Sequence, residues 1–441
     1  MTLVKNIALY LPQYHSIPEN DKAWGEGFTE WTNVKPAKPL YENHYQPHVP
    51  HDDIGYYSLE TPEIMVKQAK MAKEHGIDGF CYYYYWFDGK TLLEKPLINM
   101  LNTPEVDIPF CLMWANHNWT KTWDAGNKEV IIEQTYKEET FSQFIDDLIK
   151  YFNDPRYIRI DNKPVLIIYQ ADLLPNPKKA VEVWRKQAKE KYNLDLYLIL
   201  CQQNSRVSPN KFGYDAAMEG APNFVAGSTL VPDENRPKLF EDDTKITMYD
   251  YKKNIFQYIF RKEKKYKLFK TTYASFDNTA RRGKNGSWMF HGATPELFKK
   301  FLAEITYYTD KRFENPEEKL LFINAWNEWA EGAHLEPDEK YGYTYLNICK
   351  EIKNANISEL EKIKFNSKEK KQMKLALSGM QIQIYKLFGI IPFLKCIQNQ
   401  DKKKFYILSK ILIFKIKKKK NITSYSLFGL IPLVTVKNKG V

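Results

Sequence analysis

The feature that most constrains the fold of this chain is a series of eight short apolar runs. They lie at residues 7–11, 80–87, 109–115, 165–169, 196–201, 215–218 and 268–274, and the eighth begins at Leu320. Runs that are apolar throughout are typical of parallel strands covered on both faces. Segments with helical spacing separate several of them, notably 62–75, 141–152, 179–191 and 295–306. Eight such units over about 350 residues predict a (β/α)8 barrel of the TIM type, with a doubly wound open sheet as the alternative.

Polar and aromatic residues follow the predicted strands at their C-terminal ends. They are residues 12–15 after the first run, Trp86 and Asp88 after the second, Asn116, His117 and Trp119 after the third, residues 202–204 after the fifth, Asp277, Asn278 and Arg281 after the seventh, and Glu328 and Glu331 after the eighth. In a (β/α)8 barrel these strand ends form one rim, and the rim carries the active site. The clustering favours the barrel over the open sheet.

The eighth run leads into residues 319–337, KLLFINAWNEWAEGAHLEP, where two carboxylates lie among tryptophans. Glu328 and Glu331 are three residues apart, so a helical turn there would place both on one face. Two such carboxyl groups are the minimum equipment for acid/base chemistry on a glycosidic bond. We therefore predict that Glu328 and Glu331 are catalytic. An exposed Glu pair beside two core tryptophans is the alternative.

We expect a sugar substrate to be bound by aromatic, amide and charged side chains near the same rim, since the apolar faces of sugars stack on indole rings. The predicted binding residues are Tyr14, His15, Trp24, Trp31, Trp86, Asn116, Trp119, Asp277, Asn278, Arg281, Trp326 and Glu336. Arg281 would bind a phosphate or a sugar carboxylate through paired hydrogen bonds. A structural salt-bridge and capping cluster is the alternative for Asp277, Asn278 and Arg281.

Three histidines, His44, His48 and His51, occur close together, and imidazoles are common metal ligands. Pro47 and Pro50 prevent a helix that would place them on one face, and no cysteine joins them, so we predict no metal site. The sequence also lacks GxGxxG, GxxxxGK[ST] and GxSxG motifs. It therefore gives no indication of a dinucleotide site, a P-loop or a serine nucleophile elbow, and we predict no cofactor.

Charge is distributed unevenly along the chain. The whole sequence has 65 Lys and Arg against 54 Asp and Glu, a net charge of +11. Residues 352–441 hold 20 Lys, no Arg and four acids, a net +16, which leaves residues 1–351 at −5. A mildly acidic body does not fit a nucleic-acid groove, so we predict no nucleic-acid partner. The basic tail indicates a function of its own, such as contact with a membrane surface.

The tail contains a repeated pattern. Short apolar segments flanked by lysines occur at 387–395, 408–417 and 427–437, and the first and third share an LFGxIP core. With the lysines at 417–420 they favour attachment to an anionic bilayer surface, where each basic residue contributes about 1 kcal/mol. A small β-capping element or a partner-docking tail is the alternative. We therefore divide the chain into a barrel at 1–351 and a Lys-rich tail at 352–441.

The expected compartment follows from the cysteines and the N-terminus. Five cysteines are an odd number, and Cys81, Cys111 and Cys201 lie in strand-like runs, as buried thiols in a reducing compartment do. The first fifteen residues contain no cleavage site for a signal peptide. No run approaches the roughly 18 apolar residues of a membrane-spanning helix. We expect a cytoplasmic protein, peripheral on the inner membrane.

Six motifs along the chain resemble a known family. They are IALYLPQYHSIPEND, WGEGFTEWTNVKPAKPLYENHYQPHVP, GFCYYYYWFDGKTLLEKPL, CLMWANHNWTKTWD, FDNTARR and WNEWAEGAHLEPD. In order and spacing they resemble the glycoside hydrolase family 99-like domain of the WbsX type, described as a glycosyltransferase of bacterial surface polysaccharide clusters. The resemblance covers about residues 3–350.

The resemblance implies a (β/α)8 barrel related to the endo-α-mannosidases, in which the carboxylates of NEWxEG act on a mannosyl-type linkage with retention. Carried over to this sequence, Glu328 resembles the base that assists attack by the sugar's own 2-hydroxyl, and Glu331 resembles the acid. Members of the family commonly have Glu at the position of His117 and Trp at that of Phe276. These departures concern substrate identity and leave the carboxylate pair in place.

Together these features predict a carbohydrate-active enzyme, a glycosyltransferase of lipopolysaccharide, O-antigen or capsular polysaccharide biosynthesis. A cytoplasmic chain meets nucleotide sugars and lipid-linked precursors, so the expected partners are a glycan substrate, a nucleotide-sugar donor and a lipid-linked acceptor. The donor's diphosphate would meet Arg281 and Arg282. An endo-α-mannosidase-like hydrolase and a non-catalytic glycan-binding protein are the alternatives.

Overall fold

A computed structural model describes residues 2–120, 129–203, 206–262, 264–378, 381–387, 391–399, 402–407, 411–419, 422–427 and 431–437. The chain forms two compact units, one of residues 1–225 and 230–364 and one of residues 226–229 and 365–441. The boundary predicted after residue 351 falls inside the helix Thr344–Asn354. The next helix, Ile357–Ile363, still belongs to the first unit, where the Tyr307 hydroxyl donates to Glu361 at 2.8 Å.

The first unit is built on the predicted (β/α)8 barrel. Its eight strands are Lys5–Tyr10, Gly79–Phe87, Phe110–Trp114, Lys163–Ile168, Tyr197–Gln202, Ala216–Glu219, a seventh in two pieces at Leu268–Phe269 and Thr271–Tyr273, and Leu320–Asn324. Neighbouring strands pair in parallel, in chain order from the first to the sixth. The two pieces of the seventh strand pair with the sixth and the eighth, and the eighth pairs with the first. The ring is thereby completed, as eight apolar runs predicted.

Helices alternate with the strands around the outside of the ring. The helices of this unit are Pro18–Trp24, Trp31–Val34, Glu63–Glu74, Lys95–Asn102, Phe141–Phe152, Pro177–Tyr192, Tyr251–Ile259, Thr279–Arg282, Pro295–Arg312, Thr344–Asn354 and Ile357–Ile363. Short 3-10 turns lie at Glu138–Thr140, Ala171–Leu173, Pro209–Lys211, Asp233–Asn235, Pro316–Glu318 and Trp329–Glu331. Between the fifth and sixth strands the described residues contain only the turn Pro209–Lys211 in place of a helix.

Capping residues in the sequence fix the ends of the longer helices. Asn176 accepts a hydrogen bond from the Lys179 N–H at 3.1 Å, with Pro177 at the first helical position. Thr294 caps the helix that begins at Pro295 in the same way. An acceptor side chain satisfies an unpaired N–H, and proline at the first turn costs no hydrogen bond. These signals start the helices that cover the barrel.

Additional short strands lie outside the ring of eight. Two of them pair with barrel strands: Lys90–Leu92 with the second and Arg159–Ile160 with the fourth. The others pair with each other: Lys245–Asp250 with Asn285–His291, Trp119–Thr120 with Val130–Ile132, and Asn327–Glu328 with Ala333–His334. The barrel strands are almost wholly buried. Cys81, Cys111, Cys201 and Cys349 are buried free thiols, so the described cysteines form no disulfide framework.

The second unit contains a helix, Ser367–Leu377, and a six-stranded antiparallel sheet whose strands pair in sequence order. The strands are Gln381–Leu387, Ile391–Asn399, Lys402–Ile407, Ile411–Lys419, Ile422–Leu427 and Ile431–Lys437. Pairing irregularities recur every twenty residues, after Tyr385, Phe405 and Tyr425. The predicted apolar repeats therefore form β-strands; their residues 388–390, 408–410 and 428–430, and Lys420, lie outside the described residues. Within the described ranges, no helix has both the length and the apolar character needed to cross a bilayer.

Candidate active site

The turn after the eighth strand is held in place by Asn327 and Gly332. Asn327 exchanges two hydrogen bonds with the Leu11 backbone, accepting at 2.7 Å and donating at 3.0 Å. Gly332 has a φ of 54°, and a Cβ there would lie 3.2 Å from the Cβ of Asp277. Glycine is needed because other residues disfavour this conformation and the close approach leaves little room for a side chain. The turn therefore fits tightly against the ends of the first and seventh strands.

One guanidinium joins three carboxyl groups beside this turn. Arg281 donates to Glu331 at 2.5 Å, to Glu30 at 2.9 Å and to Glu328 at 3.1 Å. Glu30 also accepts the Ala330 N–H at 3.0 Å. Glu30 and Glu328 are buried, whereas the Glu331 side chain is 23% exposed. The two predicted catalytic carboxylates therefore lie together at a single cation.

Burial controls the protonation of this cluster. Burial and the Glu331 charge raise the pKa of Glu328 to about 8, although Arg281 opposes the shift. Burial also raises the pKa of Glu30, again against the charge of Arg281. Burial disfavours a charged group unless compensating charges surround it, and here one cation serves three acids. At neutral pH the cluster therefore retains a proton on Glu328.

The cluster lies at the wall of a cavity of about 390 Å³ over the barrel rim. The aromatic residues that line it are Tyr83, Tyr85, Trp119, Tyr169, Phe276 and Trp288, and the polar ones are Gln13, His117, Asn118, Thr120, Gln203, Asn223, Asn278, Arg281, Arg282, Asn324, Glu328 and Glu331. Aromatic faces combined with amides and charged groups suit a ligand that has apolar C–H faces and many hydroxyls. Trp119, Asn278 and Arg281 are the predicted binding residues that the structure places in this lining.

Other predicted binding residues form a buried layer next to the Glu turn. The Tyr14 hydroxyl donates to the Asn327 carbonyl. The Trp31 ring contacts the Trp329 ring at 5.5 Å, and its N–H donates to the Tyr57 carbonyl at 2.7 Å. Trp326 is fully buried. These side chains support the turn and do not line the cavity.

Glu336 is also buried, within a set of neutral donors. It accepts hydrogen bonds from Gln68 at 2.6 Å, Trp329 at 2.7 Å and Tyr57 at 2.9 Å. Burial raises the pKa of Glu336 to about 7, and these donors oppose the rise. Glu336 does not line the cavity. The structure places this predicted binding residue inside a hydrogen-bonded network.

The remaining predicted binding residues face other parts of the barrel. The Trp86 indole donates to Asp147 on the helix Phe141–Phe152 at 2.7 Å, because side chains alternate along a strand and Trp86 points outward where Tyr85 points to the cavity. Asn116 exchanges two hydrogen bonds with the Gln170 backbone at 2.9 and 2.8 Å.

His15, Trp24 and Asp277 also lie away from the cavity lining. His15 is buried against the Pro12 carbonyl, and Trp24 stacks on Phe28 at 5.7 Å. Burial acts to raise the pKa of Asp277, but hydrogen bonds from His44 and Thr279 hold that pKa below its usual value. Asp277 therefore positions the loop after the seventh strand.

Several residues of the Arg281 cluster and of the cavity lining were not among the predicted site residues. Glu30 lies in the aromatic loop after the first strand. An acid between Phe28 and Trp31, close to two glycines, could have indicated a buried carboxyl group at the site. Tyr83 and Tyr85 lie in the second strand, GFCYYYYWF, where the sequence does not distinguish the tyrosines that face the cavity from their neighbours. Trp288 stacks on Phe276 at 4.1 Å, and nothing near it in sequence marks it as part of the rim. Trp288 thus places an indole ring beside Phe276, and Phe276 is the position at which members of the resembled family commonly have Trp.

Metal-ligand geometry occurs elsewhere. Among the described residues, the group with suitable spacing is His48, His334 and Asp338, and none of these lines the cavity. His117 does line it, and burial lowers the pKa of His117, so this imidazole is neutral.

A (β/α)8 barrel with an acidic, aromatic cavity at the C-terminal ends of its strands is an architecture of carbohydrate-active enzymes. The model of the family described as "Glycosyltransferase WbsX" matches residues 6–349. The chain belongs to this family, as the sequence motifs predicted.

The chain is also similar to individual proteins. It is 38% identical over 347 residues to "Uncharacterized protein WxcX" of Xanthomonas campestris pv. campestris strain B100, covering 78% of this chain and 49% of that protein. The chain thus spans about half the length of the curated relatives it matches.

The chain is similar to two solved structures, of which the first shows the fold. A "Glycoside hydrolase-like protein" has a TM-score of 0.50 and 16% identity, over 80% of this chain and 94% of that one. A GH99 endo-alpha-mannosidase from Bacteroides thetaiotaomicron has a TM-score of 0.48 and 15% identity, over 81% and 98%.

Proposed function

We propose that this protein is a glycosyltransferase of bacterial lipopolysaccharide, O-antigen or capsular polysaccharide biosynthesis, with Glu328 and Glu331 as its acid/base pair. The observation that carries the proposal is the contact of both carboxyl groups with Arg281 at the wall of an aromatic cavity. Burial raises the pKa of Glu328, whereas the Glu331 side chain is the more exposed of the two, so the two carboxyl groups have the different environments that separate acid and base roles require.

The cavity supports specific roles for the surrounding residues. Trp119, with Tyr85 at 4.9 Å, offers a stacking platform for a sugar ring. Phe276 and Trp288 form a second aromatic surface. The side-chain oxygen of Asn278 accepts the backbone N–H of Trp288 at 2.8 Å. The side-chain N–H₂ group of Asn278 is then left to donate to a sugar hydroxyl. The acceptor and the donor sugar would occupy these two surfaces with the Glu pair between them.

A nucleotide-sugar donor requires a group that binds its diphosphate. Arg281 already contacts three carboxyl groups, so Arg282 is the better candidate. Arg282 lines the cavity and makes no side-chain hydrogen bond or ion pair within the described part of the chain. A guanidinium in that position binds phosphate through paired hydrogen bonds.

The basic tail would place the enzyme on its lipid-linked acceptor at the inner face of the cytoplasmic membrane. Its strands Lys402–Ile407 and Ile411–Lys419 are rich in lysine, and each lysine near an anionic surface contributes about 1 kcal/mol. The test is co-sedimentation with vesicles that contain anionic lipid. Binding should weaken steeply as salt increases, and equal binding to neutral vesicles would contradict the proposal.

The test of the enzymatic proposal is mass spectrometry of membranes that carry lipid-linked glycans, incubated with the protein with and without nucleotide sugars. We expect the glycan to grow by one sugar only when donor is present. Glu331→Gln should abolish growth, while Glu339→Gln, at an exposed position nearby, should not.

Other outcomes would contradict the transferase. Shortening of an α-mannoside without donor would identify an endo-α-mannosidase-like hydrolase. Glycan binding that survives loss of both carboxylates, without any turnover, would identify a non-catalytic binding protein.

A further inference from the structure

A second polar cluster lies outside the Glu cavity. His48, from the segment after the first strand, meets His334 and Asp338, which follow the Glu pair. The His48 Nδ1 atom lies 2.8 Å from His334 Nε2, and His334 Nε2 lies 3.9 Å from Asp338 Oδ2. All three side chains are buried, and they line a separate cavity of about 360 Å³.

The ring of His334 is oriented as a metal ligand would be. Its Nδ1 lies 2.9 Å from the Glu336 carbonyl and donates to it, so Nε2 presents its lone pair to His48 and Asp338. The Trp329 ring stacks on it at 3.7 Å and fixes its plane. Metal-bound histidines characteristically donate their other N–H to a carbonyl or carboxylate in this way.

The third histidine of the sequence cluster is committed elsewhere. His44 Nδ1 accepts the Leu40 N–H at 3.0 Å, and its Nε2 donates to Asp277 at 2.7 Å. Both nitrogens are therefore occupied, and His44 is not available as a ligand. His48 is not constrained in this way.

A hydrogen bond from His48 to His334 would satisfy both rings but not Asp338. The Oδ1 atom of Asp338 accepts the Tyr341 N–H at 2.6 Å. Its Oδ2 atom is buried and makes no hydrogen bond of normal geometry within the described residues, and the Tyr45 hydroxyl, whose pKa is raised by burial and by the nearby Asp338 carboxylate, makes none either. A buried carboxylate oxygen without a partner is costly, and a cation between it and the two imidazoles would remove the cost.

We infer that His48 Nδ1, His334 Nε2 and Asp338 Oδ2 bind a divalent transition metal of the Zn²⁺ type. Two imidazole nitrogens and a carboxylate oxygen are ligands that zinc prefers, whereas Mg²⁺ and Ca²⁺ prefer oxygen alone. Three protein ligands leave a further coordination position for water on the cavity side. The metal would fasten the His48 segment to the loop that carries the Glu pair.

The test uses the full-length chain without a polyhistidine tag, freed of metal by a chelator and titrated with Co²⁺ and then Zn²⁺. We expect one Co²⁺ per chain, with a visible absorption band from nitrogen and oxygen ligation, and displacement by one Zn²⁺. His334→Gln and Asp338→Asn should each weaken binding by at least about 100-fold. His51→Asn, at a half-exposed histidine of the same segment, should leave binding unchanged.

The wild-type titration is decisive even if a variant fails to fold. A folded wild-type chain that shows no cobalt band and takes up no stoichiometric Zn²⁺ would overturn the inference. Binding that is reduced as much by His51→Asn as by Asp338→Asn would overturn it as well.

Discussion

Two buried carboxyl groups on the same loop, Glu328 and Glu336, make an informative comparison. Burial raises the pKa of both, to about 8 for Glu328 and about 7 for Glu336. Glu328 faces the cavity and contacts Arg281, with Glu331 beside it. Glu336 is enclosed by donors from Tyr57, Gln68 and Trp329 and does not line the cavity. Both groups therefore have a raised pKa, and of the two only Glu328 combines it with a face open to the cavity and a charged partner.

The largest expected difference is in turnover. Glu328→Gln removes a proton-transfer group while keeping its shape, so we expect kcat to fall by about 10³-fold. Glu336→Gln should change kcat by no more than a few-fold, because Glu336 does not reach the substrate. The measurement is the donor-dependent transfer rate, with circular dichroism to confirm that both variants are folded. Equal losses of kcat in Glu328→Gln and Glu336→Gln would contradict the different roles assigned to the two carboxyl groups.

The second prediction concerns Glu30, which acts through Arg281. Glu30→Gln removes one of the three carboxyl groups that contact the guanidinium, so Arg281 should shift toward Glu328 and Glu331 and misplace them. We expect a fall of about 10²-fold in kcat/KM, the size of effect that a small misplacement produces. Glu26→Gln, at an exposed position in the same loop, is the matched control.

A purely structural role for Glu30 would give a different pattern. Because the Glu30 charge contributes to the raised pKa of Glu328, its removal should also lower that pKa. A loss of activity with an unchanged midpoint of the pH profile would therefore count against the electrostatic role.

The barrel was predictable from the sequence because parallel strands covered on both faces are continuous apolar runs. All eight predicted strands are present, and the Glu pair lies at the end of the last one, as predicted. After the fifth strand the described residues form a 3-10 turn instead of a helix, and no sequence pattern there predicts this as clearly as the apolar runs predict the strands. The boundary predicted after residue 351 precedes the end of the first unit at residue 364, because Lys353, Lys362 and Lys364 already begin the lysine-rich composition.

The site was less predictable than the fold because it depends on which way side chains point and on contacts between distant segments. Trp86 and Tyr85 are neighbours, and only Tyr85 lines the cavity. His48 and His334 are 286 residues apart, so the three nearby histidines in the sequence do not indicate that His48 contacts His334. A stretch of sequence cannot reveal such pairings without the tertiary fold.

The third prediction is in stability. Glu336→Gln replaces one acceptor oxygen by an N–H₂ group, which then meets the N–H₂ of Gln68 or forces that amide to turn away from the Tyr10 hydroxyl. A buried hydrogen bond is lost in either case, so we expect the free energy of unfolding to fall by about 1–3 kcal/mol. Urea denaturation of both variants is the measurement. A larger loss for Glu328→Gln than for Glu336→Gln would reverse the assignment of the structural role.

The smallest expected effect is the pH dependence of turnover, and it separates the roles of the Glu pair. With a pKa of about 8, Glu328 is mostly protonated in the free enzyme at neutral pH. The family resemblance assigns it the role of base, and a base must first lose its proton. We therefore expect kcat/KM to rise by about tenfold per pH unit up to about pH 8 and to level off above it.

A fall of kcat/KM at high pH would instead assign Glu328 the role of general acid. A general acid must carry its proton, so a Glu328 that acts as acid would give a kcat/KM that is flat below pH 8 and falls above it. Glu336→Gln should leave either profile unchanged, since Glu336 is outside the cluster, whereas Glu30→Gln should move its midpoint to lower pH. A profile that is flat through this range in the wild type would mean that the proton does not reside on Glu328, and the contrast with Glu336 would then rest on geometry alone.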